Sequence, residues 1–139
     1  MIIKSESEMI KLGADLARTL SPPATIELLG DIGTGKTTLT KGIAQGLGIK
    51  VPITSPSFTV NKKYHIDAIT LSHYDFYRLP APGIMTDELD ESIADPSTIT
   101  IIEWAQSVAD ILPKDRTQIT ISYNSDGTRT VTIKKGSHQ

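Results

Sequence analysis

Apolar residues recur along this chain with two different periods, and the switches between them divide it into elements. Met9, Leu12, Leu16 and Leu20 stand at helical spacing with Gly13 and Ala17 beside them, behind Ser5-Glu6-Ser7-Glu8, which reads as a capping box. This first helix is expected to stop at Ser21-Pro22-Pro23. Residues 25–29, Thr-Ile-Glu-Leu-Leu, then form a short strand that runs directly into Gly30. Leu39, Ile43 and Leu47 return to the helical period until Gly46 and Gly48 end it. The predicted order is strand, glycine loop, helix.

Further on, residues 57–64 and 68–74 are rich in β-formers with only a short gap between them, which predicts a hairpin. A short helix is expected over 87–93 and a strand over 98–102, where β-branched residues are dense. Residues 104–112 are expected to form a helix stopped by Pro113. Residues 117–123 and 128–134 flank Asn124-Ser125-Asp126-Gly127, a good hairpin turn. No internal repeat or low-complexity segment interrupts the pattern.

Composition narrows the possible functions. A chain of 139 residues suits one domain, taken as 1–135, with residues 136–139 expected to be a disordered tail. Its 38% hydrophobic and 22% charged content is ordinary for a folded soluble chain. The formal net charge is −2, and Lys and Arg gather no further than Lys62-Lys63 and Lys134-Lys135, so a large nucleic-acid groove is not expected. The chain has no cysteine, which excludes disulfides, thiolate metal sites and cysteine nucleophiles together. The start MIIKSESEM lacks the regions of a signal peptide, and no apolar run approaches a membrane span of ~18 residues. The cytoplasm is the default compartment.

The strongest chemical signal is Gly30-Asp31-Ile32-Gly33-Thr34-Gly35-Lys36-Thr37, which fits G-x-x-x-x-G-K-[ST], the Walker A phosphate-binding loop or P-loop, at every fixed position. Its glycines let the backbone bend around an anion so that successive N–H groups point at phosphate oxygens, and the following helix dipole adds attraction. Asp31, Gly33, Thr34, Gly35, Lys36, Thr37 and Thr38 are the expected nucleotide contacts. Lys36 would lie across the outer phosphates, and the Thr37 hydroxyl would take one place on Mg²⁺. A glycine-rich turn with an exposed lysine is the plainer alternative; the strand before the loop and the helix after it set it aside. The expected fold is α/β, a three-layer P-loop NTPase with a mostly parallel central sheet, a hairpin inserted after the phosphate helix and a C-terminal antiparallel strand pair.

A second acid at the end of a neighbouring strand usually holds Mg²⁺ through water. Glu103 closes the apolar strand and Asp75 closes Ile69-Thr70-Leu71-Ser72-His73-Tyr74, so both compete for the role; each could also be a surface carboxylate or a structural ion pair. No Asp is followed by Gly three residues later, and Asn61-Lys62-Lys63-Tyr64 lacks the acid of a guanine reader, so ATP is favoured over GTP. The four arginines, Arg18, Arg78, Arg116 and Arg129, are scattered, and only Arg78 lies near a suspected active segment. That argues against the arginine-rich lid of a small-molecule kinase. His65, His73 and His138 show no metal-ligand spacing, and His73 is read as structural.

Four blocks together carry a family resemblance: Gly30 through Thr38; Ser55-Pro56-Ser57-Phe58-Thr59; His73-Tyr74-Asp75-Phe76-Tyr77-Arg78-Leu79; and Ile102-Glu103-Trp104. In order and spacing they resemble TsaE, the bacterial tRNA threonylcarbamoyladenosine biosynthesis ATPase family, over most of the stretch 12–113. Ile32 and Thr34 stand where that family more often has Leu and Ala, and 80–97 matches it only loosely. The resemblance implies a Mg²⁺-dependent ATPase, slow by itself, that serves the threonylcarbamoylation of the adenosine next to the anticodon. Its partners would be TsaB and TsaD, with tRNA met only through that complex and no membrane involved. It also implies that Thr37 and Glu103 hold Mg²⁺, that Lys36 binds the outer phosphates and that Asp75 matters for hydrolysis. Ser57 and Thr59 would belong to a nucleotide-sensing switch, and Trp104 would pack beside the metal acid. A small-molecule kinase and a non-hydrolysing, nucleotide-gated binding module are the rival readings.

Overall fold

The computed structural model describes residues 1–31, 33–53, 61–76 and 85–136, without the side chains of Met85 and Ser107. Ile32, the switch residues Ser57 and Thr59, Arg78, and residues 137–139 of the expected tail lie outside the described residues.

The strands are β1 (Ile2–Ile3), β2 (Ala24–Leu29), β3 (Asn61–Ile66), β4 (Ile69–Asp75), β5 (Thr98–Glu103), β6 (Thr117–Tyr123) and β7 (Arg129–Lys135). They form one sheet in the order β1-β7-β6-β2-β5-β4-β3. Its centre is parallel, with β2 paired to both β5 and β6, and β4 paired to β5. Antiparallel pairs close both sides: β3 with β4, and β6 with β7, to which β1 adds a short edge. This is the expected architecture, with both hairpins in place. Only β1 has no counterpart in the sequence reading, because two apolar residues carry no period.

Helices α1 (Glu6–Ala17) and α2 (Lys36–Leu47) cover one face of the sheet. The Ser5 side chain caps α1 by accepting from the Glu8 N–H, while the Glu8 carboxylate accepts from the Lys4 N–H at 2.8 Å, a variant of the reciprocal capping box. The helix ends at Ala17, earlier than the prolines suggest, because Thr19 folds back with both its N–H and its hydroxyl donating to the Leu16 carbonyl. Leu20 still packs on the core from beyond the helix. The two helices meet backbone to backbone. A Cβ added at Gly42 would lie 2.2 Å from the Ile10 carbonyl oxygen, so glycine there permits the contact.

On the other face, α3 (Met85–Ala94) and a 3₁₀ helix, α4 (Ala105–Ile111), enclose a second apolar cluster of Tyr74, Phe76, Leu89, Ile102, Val108 and Leu112. The sequence predicts one helix over 104–112. Trp104 instead adopts a left-handed conformation at φ 56°, and the turns that follow are 3₁₀. Over a helix of 7 residues the periods of about 3.0 and 3.6 residues per turn are too close for apolar spacing to separate them.

Candidate functional site

Every residue of β5 is buried, and its alternation sends Ile99, Ile101 and Glu103 to the face covered by α1 and α2. In β4 the same parity places Leu71, His73 and Asp75 on that face. The parallel register pairs Asp75 with Glu103, so the two competing acids stand side by side at the carboxyl ends of adjacent strands. Parallel strands gather their ends at one sheet edge, and β2 delivers the glycine loop to that edge.

The loop is shaped by its own hydrogen bonds. Thr34 closes a tight turn, its hydroxyl donating to the Asp31 carbonyl at 2.9 Å and its N–H to the same oxygen at 3.3 Å. Gly35, at φ 115°, is the N-cap of α2 and supplies no side chain to its first turn. The N–H groups of that turn therefore remain for an anion, with the helix dipole behind them.

Lys36 heads α2 and is buried at 5% exposure. Its Nζ donates to the Gly30 carbonyl at 2.6 Å, lies 3.9 Å from Glu103 Oε1 and sits 3.9 Å from the centroid of the Trp104 ring. The left-handed turn at Trp104 is what carries the indole back over this ammonium. Burial lowers the Lys36 pKa from its ordinary value, opposed by the negative charges of Glu103, Asp75 and Asp31. Glu103, equally buried, accepts at Oε2 from His73 Nε2 at 2.6 Å. A third buried acid, Glu27, is engaged elsewhere, by Arg116 at 2.7 Å and Gln118 at 3.0 Å.

Beside Lys36 opens a cleft of about 460 Å³ between Gly30 and Asp31, Trp104 and Gln106, and Ser122 and Tyr123. That volume is in the range of small-molecule pockets. Tyr123 donates its hydroxyl proton to the Gly33 carbonyl, and Arg129 donates to the same hydroxyl at 2.9 Å with its guanidinium over the Tyr123 ring. Arg129 also passes 3.7 Å from where a Gly35 Cβ would stand.

With the loop, the acids and the cleft in place, a comparison with protein families decides the relationship. The family described as threonylcarbamoyl adenosine biosynthesis protein TsaE matches residues 3–131. The chain belongs to the TsaE family. Among curated relatives, the tRNA threonylcarbamoyladenosine biosynthesis protein TsaE of Bacillus subtilis is 38% identical over 127 residues, covering 88% of this chain and 75% of that one. The Treponema pallidum protein of the same name is 33% identical over 132 residues, covering 95% and 97%. The crystal structure of Bacillus subtilis YdiB superposes with a TM-score of 0.84 at 31% identity, covering 99% of this chain and 84% of that one. The TsaE proteins are named for biosynthesis of a modified tRNA nucleoside, and the fold of this chain is theirs.

Of the residues singled out from the TsaE-like sequence, Lys36, Glu103 and Trp104 converge, and Asp75 stands in register with Glu103. Asp31, Gly33, Thr34, Gly35, Thr37 and Thr38 form the loop and the first turn of α2. Three residues gain a place that the sequence reading had not given them. His73, taken as structural, binds Glu103. Strand parity with Asp75 could have revealed it. Tyr123 and Arg129 reach the loop from the last hairpin, and no local signal indicated them, because that contact depends on β6 lying next to β2.

Among the described residues no three His, Asp or Glu side chains converge as a metal cage. Mg²⁺ needs none, since it keeps several waters and takes one or two carboxylates beside phosphate oxygens. Glu103 fits that demand: it is a buried carboxylate whose Oε1, 3.9 Å from Lys36, is beyond hydrogen-bond reach of the ammonium. Among the same residues, no helix is long and apolar enough to cross a membrane.

Proposed function

We propose that this chain is a Mg²⁺-dependent ATP-binding protein of the cytoplasm with slow, partner-dependent ATPase activity. It acts with TsaB and TsaD in the threonylcarbamoyl modification of the adenosine next to the tRNA anticodon. The observation that carries this reading is the convergence of Lys36 at the head of α2 with paired carboxylates at the ends of β4 and β5. A cation on the phosphates and acids placed to manage metal and water are what phosphoryl chemistry requires of a protein.

In this reading the N–H groups from Gly33 to Thr38 bind the phosphates, and Lys36 leaves the Gly30 carbonyl to neutralise the outer ones. Thr37 and Glu103 would hold Mg²⁺, which when bound screens the charge on the phosphate oxygens. Asp75 orients the attacking water and accepts its proton as the bond from the terminal phosphorus to the bridging oxygen breaks and ADP leaves. Turnover is slow in the isolated chain because no free arginine faces the phosphates among the described residues; Arg129 is engaged by the hydroxyl and ring of Tyr123. Supplying such a charge accelerates P-loop enzymes by ~10³–10⁵.

Steady-state phosphate release, alone and with TsaB and TsaD, tests the proposal. Slow release that rises with the partners supports it, and fast release by the chain alone overturns partner dependence. Release that waits for a small-molecule acceptor would make it a kinase, and binding with no release under any condition would make it a gated binding module. Stimulation that survives in Arg78→Ala would assign the activating charge to a partner.

A further inference from the structure

The most informative residue outside the machinery described above is His73. It is fully buried in β4, yet it bonds through one nitrogen only: Nε2 lies 2.6 Å from Glu103 Oε2, while Nδ1 has no hydrogen-bond partner among the described residues. A carboxylate oxygen can only accept, so Nε2 is the donor in this bond, while Nδ1 meets no partner in the core. A buried polar atom without a partner works against folding. A leucine at this position would avoid that cost while filling the space between neighbours such as Leu71 and Ile101. What the imidazole adds is therefore to be sought in Glu103.

Glu103 has three side-chain torsions, and a hydrogen-bond partner narrows which way its two oxygens point. The sheet register brings His73 opposite Ile101, one same-face step before Glu103, so the ring meets the carboxylate diagonally from below. With Oε2 tied to His73, Oε1 is turned toward Lys36 and the mouth of the loop. We infer that His73 is a positioning residue, which holds the Glu103 carboxylate so that one defined oxygen faces the metal side of the nucleotide site. The inference rests on the reading of Glu103 as the magnesium acid. Partners of this kind, hydrogen-bonded to a metal-side ligand, typically change metal affinity by 10–100-fold when removed.

The test titrates a non-hydrolysable ATP analogue calorimetrically into wild type, His73→Leu, His73→Gln and Glu103→Gln at a series of Mg²⁺ concentrations and in EDTA. Circular dichroism is recorded on each variant. His73→Leu is expected to raise the Mg²⁺ concentration needed for tight binding by about tenfold or more, with binding in EDTA unchanged. His73→Gln, whose amide can donate from the place of Nε2, should recover much of that loss. A folded His73→Leu with the wild-type Mg²⁺ requirement, beside a Glu103→Gln that has lost its Mg²⁺ response, overturns the inference and leaves the reading of Glu103 standing. A Glu103→Gln that keeps its Mg²⁺ response removes the reading and the inference together. Should His73→Leu not fold, ring ¹⁵N spectra of the wild-type protein decide instead. An Nε2–H signal that shifts with Mg²⁺ and the analogue, but not with the analogue in EDTA, supports the inference; a ring with no proton on Nε2, or an Nε2–H signal indifferent to Mg²⁺, overturns it.

Discussion

The Lys36 ammonium lies 3.9 Å from the centroid of the Trp104 ring, so the lysine expected to grip phosphates is held against an aromatic face. Contacts of this kind contribute about 0.5–2 kcal/mol according to how dry they are. Moving Lys36 onto a nucleotide breaks this contact and changes the indole's surroundings. Fluorescence from Trp104, the only tryptophan, should therefore change when Mg²⁺ and ATP are added. Lys36→Ala should lose both the signal and tight binding in calorimetry. An identical spectrum with and without nucleotide would return Trp104 to a purely structural role.

Because burial lowers the Lys36 pKa below 10.5, the sign of two pH effects follows. Between the lowered folded value and the ordinary one, the unfolded chain binds more protons than the folded chain. Lys36 therefore makes the free protein more stable as pH rises through that window, and below it the cost of burying the charge is fully present. Nucleotide affinity should move oppositely, falling as the ammonium deprotonates, with proton uptake on binding. Titrations in buffers of different ionisation enthalpy would detect that uptake, and it should vanish in Lys36→Arg, whose guanidinium stays charged throughout.

Asp75 and Glu103 share a register position, and substitutions should separate their duties. Thr37→Ala and Glu103→Ala are expected to weaken the Mg²⁺ dependence of nucleotide binding. Asp75→Asn should preserve it and lower phosphate release with partners present by roughly 10²–10⁴-fold, the usual contribution of a general base. Loss of Mg²⁺ dependence in Asp75→Asn alone would exchange the two roles.

Tyr123 ties the last hairpin to the Gly33 carbonyl, and Arg129 steadies Tyr123. Tyr123→Phe should cost at most about 1 kcal/mol of stability, since the side chain is exposed. Its larger effect should be faster amide hydrogen exchange in the loop around Gly33, Thr34 and Gly35. Arg129→Ala should show the same pattern more weakly, and unaltered exchange in both would remove the brace.

The closest approach of α1 and α2 leaves no room for a methyl group at Gly42, where the Ile10 carbonyl oxygen would be 2.2 Å away. Alanine there gains helix propensity yet overpacks the interface. The expected net loss is about 1–3 kcal/mol, read from urea denaturation, with the slope unchanged.

The sequence by itself determined the local elements and the loop. Apolar period, caps and turn residues act over a few positions, so β2, the glycine loop, α2 and both hairpins were legible from Ile26, Gly35, Gly48 and Gly127. The loop motif was legible for the same reason, since Lys36 and Thr37 follow the glycines in the chain. Only the tertiary structure decided which strand lies beside which. The order β6-β2-β5-β4 brings residues 30, 73, 103 and 123 to one sheet edge, and no local pattern encodes that order. It placed His73 on Glu103, set Asp75 level with it, and carried Tyr123 and Arg129 from the last hairpin to the loop. The left-handed turn at Trp104 belongs to the same class. Apolar spacing carries no information on the backbone angle of a single residue, and that residue's ring lies against Lys36.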